Sequence, residues 1–191
     1  MKIAFDMDNT LIQSNKAIIS LYNLKYNQRV PSYIEVDWMF TQLPMITKED
    51  IAEFFSSDIF YYTATPVVGM QELVKYLYSL GHELYCCTII DTEQGKKNKL
   101  NYLKKYFPEL KPIILLQNKE VTMNKSILGK EFDFLIDDNI NCLETSNVKI
   151  KILFGDYPYN KNDNIFQRAR NAEELKEIIQ TYNILRNLGT F

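Results

Sequence analysis

The sequence predicts an α/β protein: a mostly parallel sheet with helices on both faces and a small helical cap inserted after the first strand. Two observations predict the sheet, and a third places the cap. Short apolar runs alternate with longer stretches of helical periodicity from residue 66 onward. Two of those runs, and the first run at residues 2–6, end in acidic or hydroxyl residues, as strands do where an α/β sheet binds ligands. Between the first run and the next strand–helix unit lie roughly fifty residues (14–65), far more than a βα loop needs.

Residues 2–6 (KIAFD) read as a short buried strand running into an acidic loop. In the insertion, Ile18, Leu21 and Tyr22 share one helical face, and Ile51, Phe54 and Phe55 share another behind the capping signal Thr47-Lys48-Glu49-Asp50. Residues 69–80 place Met70, Leu73, Val74 and Leu77 at helical spacing, and Gly81 ends that helix. ELYCC (83–87) is a strand, 92–107 a helix ended by Pro108, and PIILL (112–116) a strand. Two more strands follow, FDFLI (132–136) and KIKILF (149–154), before a last helix capped by Asn171 with Glu174 three residues on. The division expected is therefore 1–13 and 66–191 for the core, with 14–65 as the cap.

The 191 residues suit one such domain plus an insertion. A net charge of -2 advertises neither a nucleic-acid polymer nor an anionic membrane as partner. No apolar run approaches the roughly 18–20 residues that span a bilayer. Asp6 and Asp8 interrupt any signal-peptide reading of the N-terminus. Cys86, Cys87 and Cys142 form an odd set with two neighbours in one strand, so reduced thiols in a cytoplasmic protein are expected.

Asp6 and Asp8, in FDMDNTL (5–11), stand one residue apart at the end of the first strand. Like charges that close raise each other's proton affinity unless a cation intervenes. Asp137 and Asp138, in FLIDD (134–138), form a second acidic pair at another strand end. Hard carboxylate oxygens from two strand ends suit Mg²⁺, which takes octahedral oxygen ligands. Thr88 follows ELYCC, where a hydroxyl beside free loop N–H groups suits a phosphate oxygen. A phosphate-binding lysine is sought near the fourth strand. Lys119 is preferred for its reach from PIILL, with Lys125 as competitor. Lys96, Lys97, Lys99, Lys104 and Lys105 read as a solvated basic helix face.

Other chemistries lack parts. No cysteine has an arginine six residues on, the lone His82 sits in a turn, and neither GKK (95–97) nor GKE (129–131) completes a Walker loop.

FDMDNTL, CCT, a lysine after the fourth strand and LIDD, in that order, resemble the four motifs of the haloacid dehalogenase (HAD) superfamily. The resemblance implies a Rossmann-like sheet and an aspartyl-phosphate mechanism. It makes Asp6 the nucleophile and a Mg²⁺ ligand, and Asp8 the general acid and base, touching the metal through its backbone carbonyl. Thr88 and the lysine would hold the phosphoryl group, and Asp137 would complete the metal site. Dehalogenases lack the second aspartate, so Asp8 favours phosphoryl chemistry.

Within the superfamily the chain is most similar to the 5'(3')-deoxyribonucleotidase group, through LQNKEV (116–121), LIDDN (135–139), ILFGDYPYN (152–160) and RARNAEEL (168–175). A nucleoside monophosphate is the substrate this implies. Asn9-Thr10 stands where that group usually has glycine and valine, Ile89 where it has serine, and Ala172 where it has tryptophan. Asn9, Thr10 and Ile89 are accordingly the positions expected to line the substrate. Trp38 and Phe40, in an irregular stretch of the cap, are the candidates to stack on a base. A homodimer is compatible with this reading. Two alternatives stay open: a HAD phosphatase for another small phosphoester or a phosphoprotein, and a non-catalytic module of phosphoaspartate type. The D-x-D pattern on the first strand argues against a receiver-type module.

Overall fold

The computed structural model describes residues 1–116 and 123–189. Its first strand, β1 (Lys2–Phe5), is apolar on both sides because it lies inside the sheet: Ile3 and Phe5 face one core cluster and Ala4 the other. Helices α1 (Ser14–Tyr26), α2 (Lys48–Ser56) and α3 (Asp58–Thr63) occupy the long insertion. Then α4 (Met70–Ser79), β2 (Glu83–Ile90), α5 (Glu93–Tyr106) and β3 (Lys111–Leu116) follow in alternation. After β4 (Phe134–Asp137) come α6 (Ile140–Thr145), β5 (Ile150–Phe154), β6 (Gln167–Ala169) and α7 (Ala172–Asn187).

Among the described residues six strands form one sheet in the order β3-β2-β1-β4-β5-β6, with every neighbouring pair parallel. The chain steps outward from β1 to β3, then returns to the other side of β1 as β4. That reversal leaves a crevice above the C-terminal ends of β1 and β4, where open α/β sheets bind ligands. Alternation along each strand feeds two cores. Phe134, Ile136, Ile152 and Phe154 join the larger one, against α4, α5 and α7. Leu135, Leu153 and Cys87 join the smaller one with Leu143 of α6. All three cysteines are buried and free.

Strand β2 runs three residues beyond the expected stop at Cys87, so Thr88 lies within it rather than just past it; Thr88 is buried and pairs in register with Ile114. Helix α6 and strand β6 escape prediction because six and three residues are too short to show a period.

The capping box at α2 forms as its sequence implies. Thr47 Oγ1 accepts from the Asp50 N–H at 3.1 Å, and the Asp50 carboxylate accepts from the Thr47 N–H at 2.8 Å. Asp50 also takes the Lys25 ammonium at 2.6 Å and the Tyr26 hydroxyl at 2.6 Å, which ties α2 to α1. Lys25, then Tyr26, hold this carboxyl well below the usual carboxylate range.

The insertion meets the core through α5. Asn98 donates to the Ser56 carbonyl at 3.1 Å, and the Tyr102 hydroxyl donates to the Ala64 carbonyl at 3.1 Å. Its two ends lie side by side, the Gln13 N–H donating to the Thr65 carbonyl at 2.9 Å. No helix of the described residues is long and apolar enough to cross a membrane.

Candidate active site

Parallel pairing brings the ends of β1, β2 and β4 to one edge, and the acidic residues follow from it. Asp6 continues β1, its N–H donating to the Ile136 carbonyl of β4 at 2.8 Å. Asp137 is the last residue of β4 and Asp138 the next. One carboxylate oxygen from each of Asp6, Asp137 and Asp138 lies within 4.8 Å of the others, and all three residues are buried.

Lys125 reaches into this cluster. Its side chain is fully buried, and the ammonium donates to Asp6 at 2.5 Å and to Asp137 at 2.6 Å. Burial would lower its pKa, but Asp137 and Asp6 outweigh that and hold it well above the ordinary lysine value. Three carboxylates against one ammonium leave two negative charges uncompensated. The pKa directions express the same deficit. Burial, opposed by Lys125, pushes Asp137 up to about 7, and burial with the fields of Asp6 and Asp137 pushes Asp138 well above the carboxylate range. Asp6 is raised as well, by burial first. An all-oxygen set short of two charges fits a hard divalent cation.

Asp8 is held apart from this trio. Ser14, at the start of α1, donates its hydroxyl to one carboxylate oxygen at 2.6 Å, and Lys99 donates to the other at 2.5 Å. Lys99 also donates to the Thr88 hydroxyl at 2.7 Å. The expected solvated basic face is therefore wrong at this residue: Lys99 is 0% exposed. The inward face of α5 is Gly95, Asn98, Lys99, Tyr102 and Leu103, spaced i, i+3, i+4, i+7 and i+8. That period, drawn back from Tyr102 and Leu103, was the available signal. Asp138, not expected among the metal ligands from sequence, joins Asp137 in the cluster.

A cavity of about 450 Å³ opens above these groups. Its floor is acidic, and its wall includes Trp38, Met39, Phe40, Ile51, Phe55, Ile89 and Ile90, with Lys48 also lining it. Of the positions expected to meet the substrate, Asn9, Ile89, Trp38 and Phe40 line the cavity, beside Asp6, Asp8, Thr88 and Asp137. Phe40 has φ +55°, a costly conformation for an aromatic residue, and is otherwise packed into the core. Thr10 is fully buried, its hydroxyl without a hydrogen-bond partner among the described residues. Lys119 lies outside the described residues.

Asn9 adopts φ +53°. Glycine and asparagine both tolerate that left-handed geometry, which explains why either can stand there. Its side chain is fixed by the Asn15 N–H at 3.0 Å and by the Tyr159 hydroxyl at 3.0 Å. The loop bearing Tyr159 starts at Gly155 (φ +78°), whose carbonyl accepts from the Arg168 guanidinium at 2.6 Å. A Cβ at Gly155 would lie 2.3 Å from the Tyr157 ring. Gly155→Ala is expected to cost about 1–3 kcal/mol, read as a lower denaturant midpoint at unchanged slope.

A parallel sheet whose first strand ends in D-x-D and whose fourth ends in an acid pair, with a lysine between, defines a HAD-type hydrolase. The match to the family described as 5' nucleotidase, deoxy (pyrimidine), cytosolic type C protein extends over residues 1–185, and the chain belongs to that family. A candidate nucleotidase of Oceanobacillus iheyensis is 27% identical over 179 residues, covering 88% of this chain and 93% of the relative. A 5'(3')-deoxyribonucleotidase of Bacillus subtilis is 34% identical over 110 residues, covering 58% of this chain and 59% of the relative. An inferred phosphatase from Clostridium acetobutylicum shares the fold at a TM-score of 0.60 and 14% identity, over 94% of this chain and 98% of that one. So does the candidate HAD hydrolase YfnB of Bacillus subtilis, solved with magnesium, at a TM-score of 0.57 and 13% identity over 93% and 97%. The chain is thus a phosphatase of the nucleotidase kind.

Lys99 bridges Asp8 and Thr88 without a solvent path, so its removal should weaken phosphoryl binding and misplace Asp8. Lys99→Met is expected to lower kcat/KM for phosphate release by about 10²–10³-fold, the usual loss when one preorganised donor goes. Steady-state kinetics beside a thermal melt checks this.

Proposed function

We propose that the protein hydrolyses nucleoside monophosphates through a phosphoaspartyl intermediate on Asp6, with Mg²⁺ as cofactor. The observation that carries this reading is the meeting of Asp6, Asp137, Asp138 and Lys125 at the floor of an apolar-walled cavity. Asp6, Asp137 and Asp138 would offer carboxylate oxygens to the metal, and the family resemblance implies that the Asp8 backbone carbonyl would join them. When bound, Mg²⁺ supplies the positive charge that lets an anionic nucleophile approach an anionic phosphate.

The chain's own residues do the rest. Asp6 attacks phosphorus, forming an acyl-phosphate bond as the ester oxygen departs. Asp8 gives a proton to that leaving oxygen, then takes one from the water that attacks phosphorus, which breaks the acyl-phosphate bond and frees phosphate and the Asp6 carboxylate; Ser14 and Lys99 fix its orientation for both transfers. Thr88 faces the phosphoryl oxygens from β2, and Lys99, buried behind it on α5, holds the Thr88 hydroxyl. Lys125 balances Asp6 and Asp137 from within. In this reading Lys125, rather than Lys119, takes the motif-lysine role. Residues 14–65 act as the cap, and Trp38, Phe40, Phe55 and Ile89 form the side on which an aromatic base rests.

The family match and the relatives' names favour a deoxyribonucleotide, with a 5' or 3' phosphate. A panel of ribo- and deoxyribonucleoside 5'- and 3'-monophosphates, sugar phosphates and an aryl phosphate, assayed for phosphate release with Mg²⁺, tests it. The expected result is highest kcat/KM for a deoxyribonucleoside monophosphate. Hydrolysis of the aryl phosphate alone would remove the nucleotidase reading and leave a general phosphatase.

A further inference from the structure

We propose that Tyr159 is a positioning residue that couples the metal-facing carboxylate of Asp138 to the loop bearing Trp38. This rests on the reading of Asp138 as part of the metal site. The Tyr159 hydroxyl lies 2.5 Å from Asp138 Oδ2 and 3.0 Å from Asn9 Nδ2. The direction of both bonds follows from Asn9. Its amide oxygen accepts from the Asn15 N–H and its Nδ2 donates to Asn15 Oδ1, so the amide NH₂ must face the phenol. The phenol oxygen therefore accepts from Asn9, and its one proton goes to Asp138.

The ring is fixed as firmly as the hydroxyl. It stacks on Tyr157 at 5.4 Å and 9°, and the Tyr157 hydroxyl donates to the Asn9 carbonyl at 2.6 Å. On another side Trp38 meets it edge-on, centroids 5.3 Å apart at 80°. The Trp38 turn is itself wound around Asp37, whose carboxylate accepts from the N–H groups of Met39 and Thr41 at 3.0 Å each. From below, Asn160 donates to the Asp138 carbonyl at 2.9 Å. A single side chain thus joins the loop after β1, the acid after β4 and the aromatic wall of the cavity.

A hydrogen-bond donor behind a ligating carboxylate fixes which oxygen turns to the metal, and losing such a partner usually costs 10–100-fold in metal affinity. Tyr159→Phe keeps the stack and the edge contact and removes only the hydroxyl. Trp38 is the chain's one tryptophan, so its emission reports this junction directly.

The experiment titrates Mg²⁺ into wild type and Tyr159→Phe, followed by calorimetry and by Trp38 emission, with phosphate release measured alongside. Expected are a change in wild-type emission on Mg²⁺ alone, with a midpoint equal to the calorimetric Kd, and a Kd about 10–100-fold weaker in the variant. Excess Mg²⁺ should recover most of the variant's turnover, which a misfolded site would not allow. Equal Kd values in the two proteins would overturn the inference and spare the proposed function. Should the variant fail to fold, the wild-type titration decides alone: bound Mg²⁺ without a change in Trp38 emission overturns the coupling. A wild type that neither binds Mg²⁺ nor releases phosphate would overturn the metal reading and this inference together.

Discussion

Asp6→Asn is expected to lower phosphate release by at least about 10³-fold, since an amide cannot form the acyl phosphate and nothing else at the floor can replace it. Asp8 is turned toward Ser14 and Lys99, apart from the trio, and in the proposed mechanism it handles the proton rather than attacking phosphorus. The variant should still fold. Lys125 keeps Asp137 as its partner, so no buried charge is orphaned, and one of three mutually repelling carboxylates is gone. Loss of turnover with a cooperative thermal melt is the combined signature. A variant as active as wild type would remove Asp6 from the chemistry.

Removal of the divalent cation should have an effect as large. Chelation is expected to bring turnover to background, and Mg²⁺ to restore it. Ca²⁺ should restore it poorly, because it takes more ligands at longer distances than a compact carboxylate set provides. The same cation should stabilise the fold. A ligand that binds only the native state at about 100 times its Kd adds about 2.7 kcal/mol. For a chain of this length that is roughly a 5–10 °C rise in Tm. The sign follows from the charge balance: Asp6, Asp137 and Asp138 face one ammonium, so the folded state carries a repulsion that the cation relieves. Calorimetric scans with and without Mg²⁺ check the sign and size.

Much of this arrangement was legible in the chain because the signals are local. A strand ending in D-x-D, a second ending in D-D and an apolar strand reaching a threonine need only period and position to be read. Their convergence needed the topology, and the alternation of strands and helices supplied it. Lys99 departs from the solvated face expected of its neighbours Lys96 and Lys97, because burial on α5 is set by the period of Gly95, Tyr102 and Leu103. Lys125 is hard to place from the sequence, because reach from a strand end says little where the chain turns back. Its ammonium meets Asp6, 119 residues away in sequence, a contact no local pattern encodes. Tyr159 lies in the ILFGDYPYN stretch (152–160) that carries part of the resemblance, but its bonds to Asn9 and Asp138 exist only in three dimensions.

The central claim is that Asp6 becomes phosphorylated during turnover. Enzyme mixed with a nucleoside monophosphate and Mg²⁺, quenched in acid within the first turnover and treated with borohydride, should carry homoserine at position 6 in peptide mass spectra, because the reductant acts on acyl phosphates and spares free carboxylates. Full turnover with an unmodified Asp6, or homoserine at position 8 or 137 instead, would contradict it.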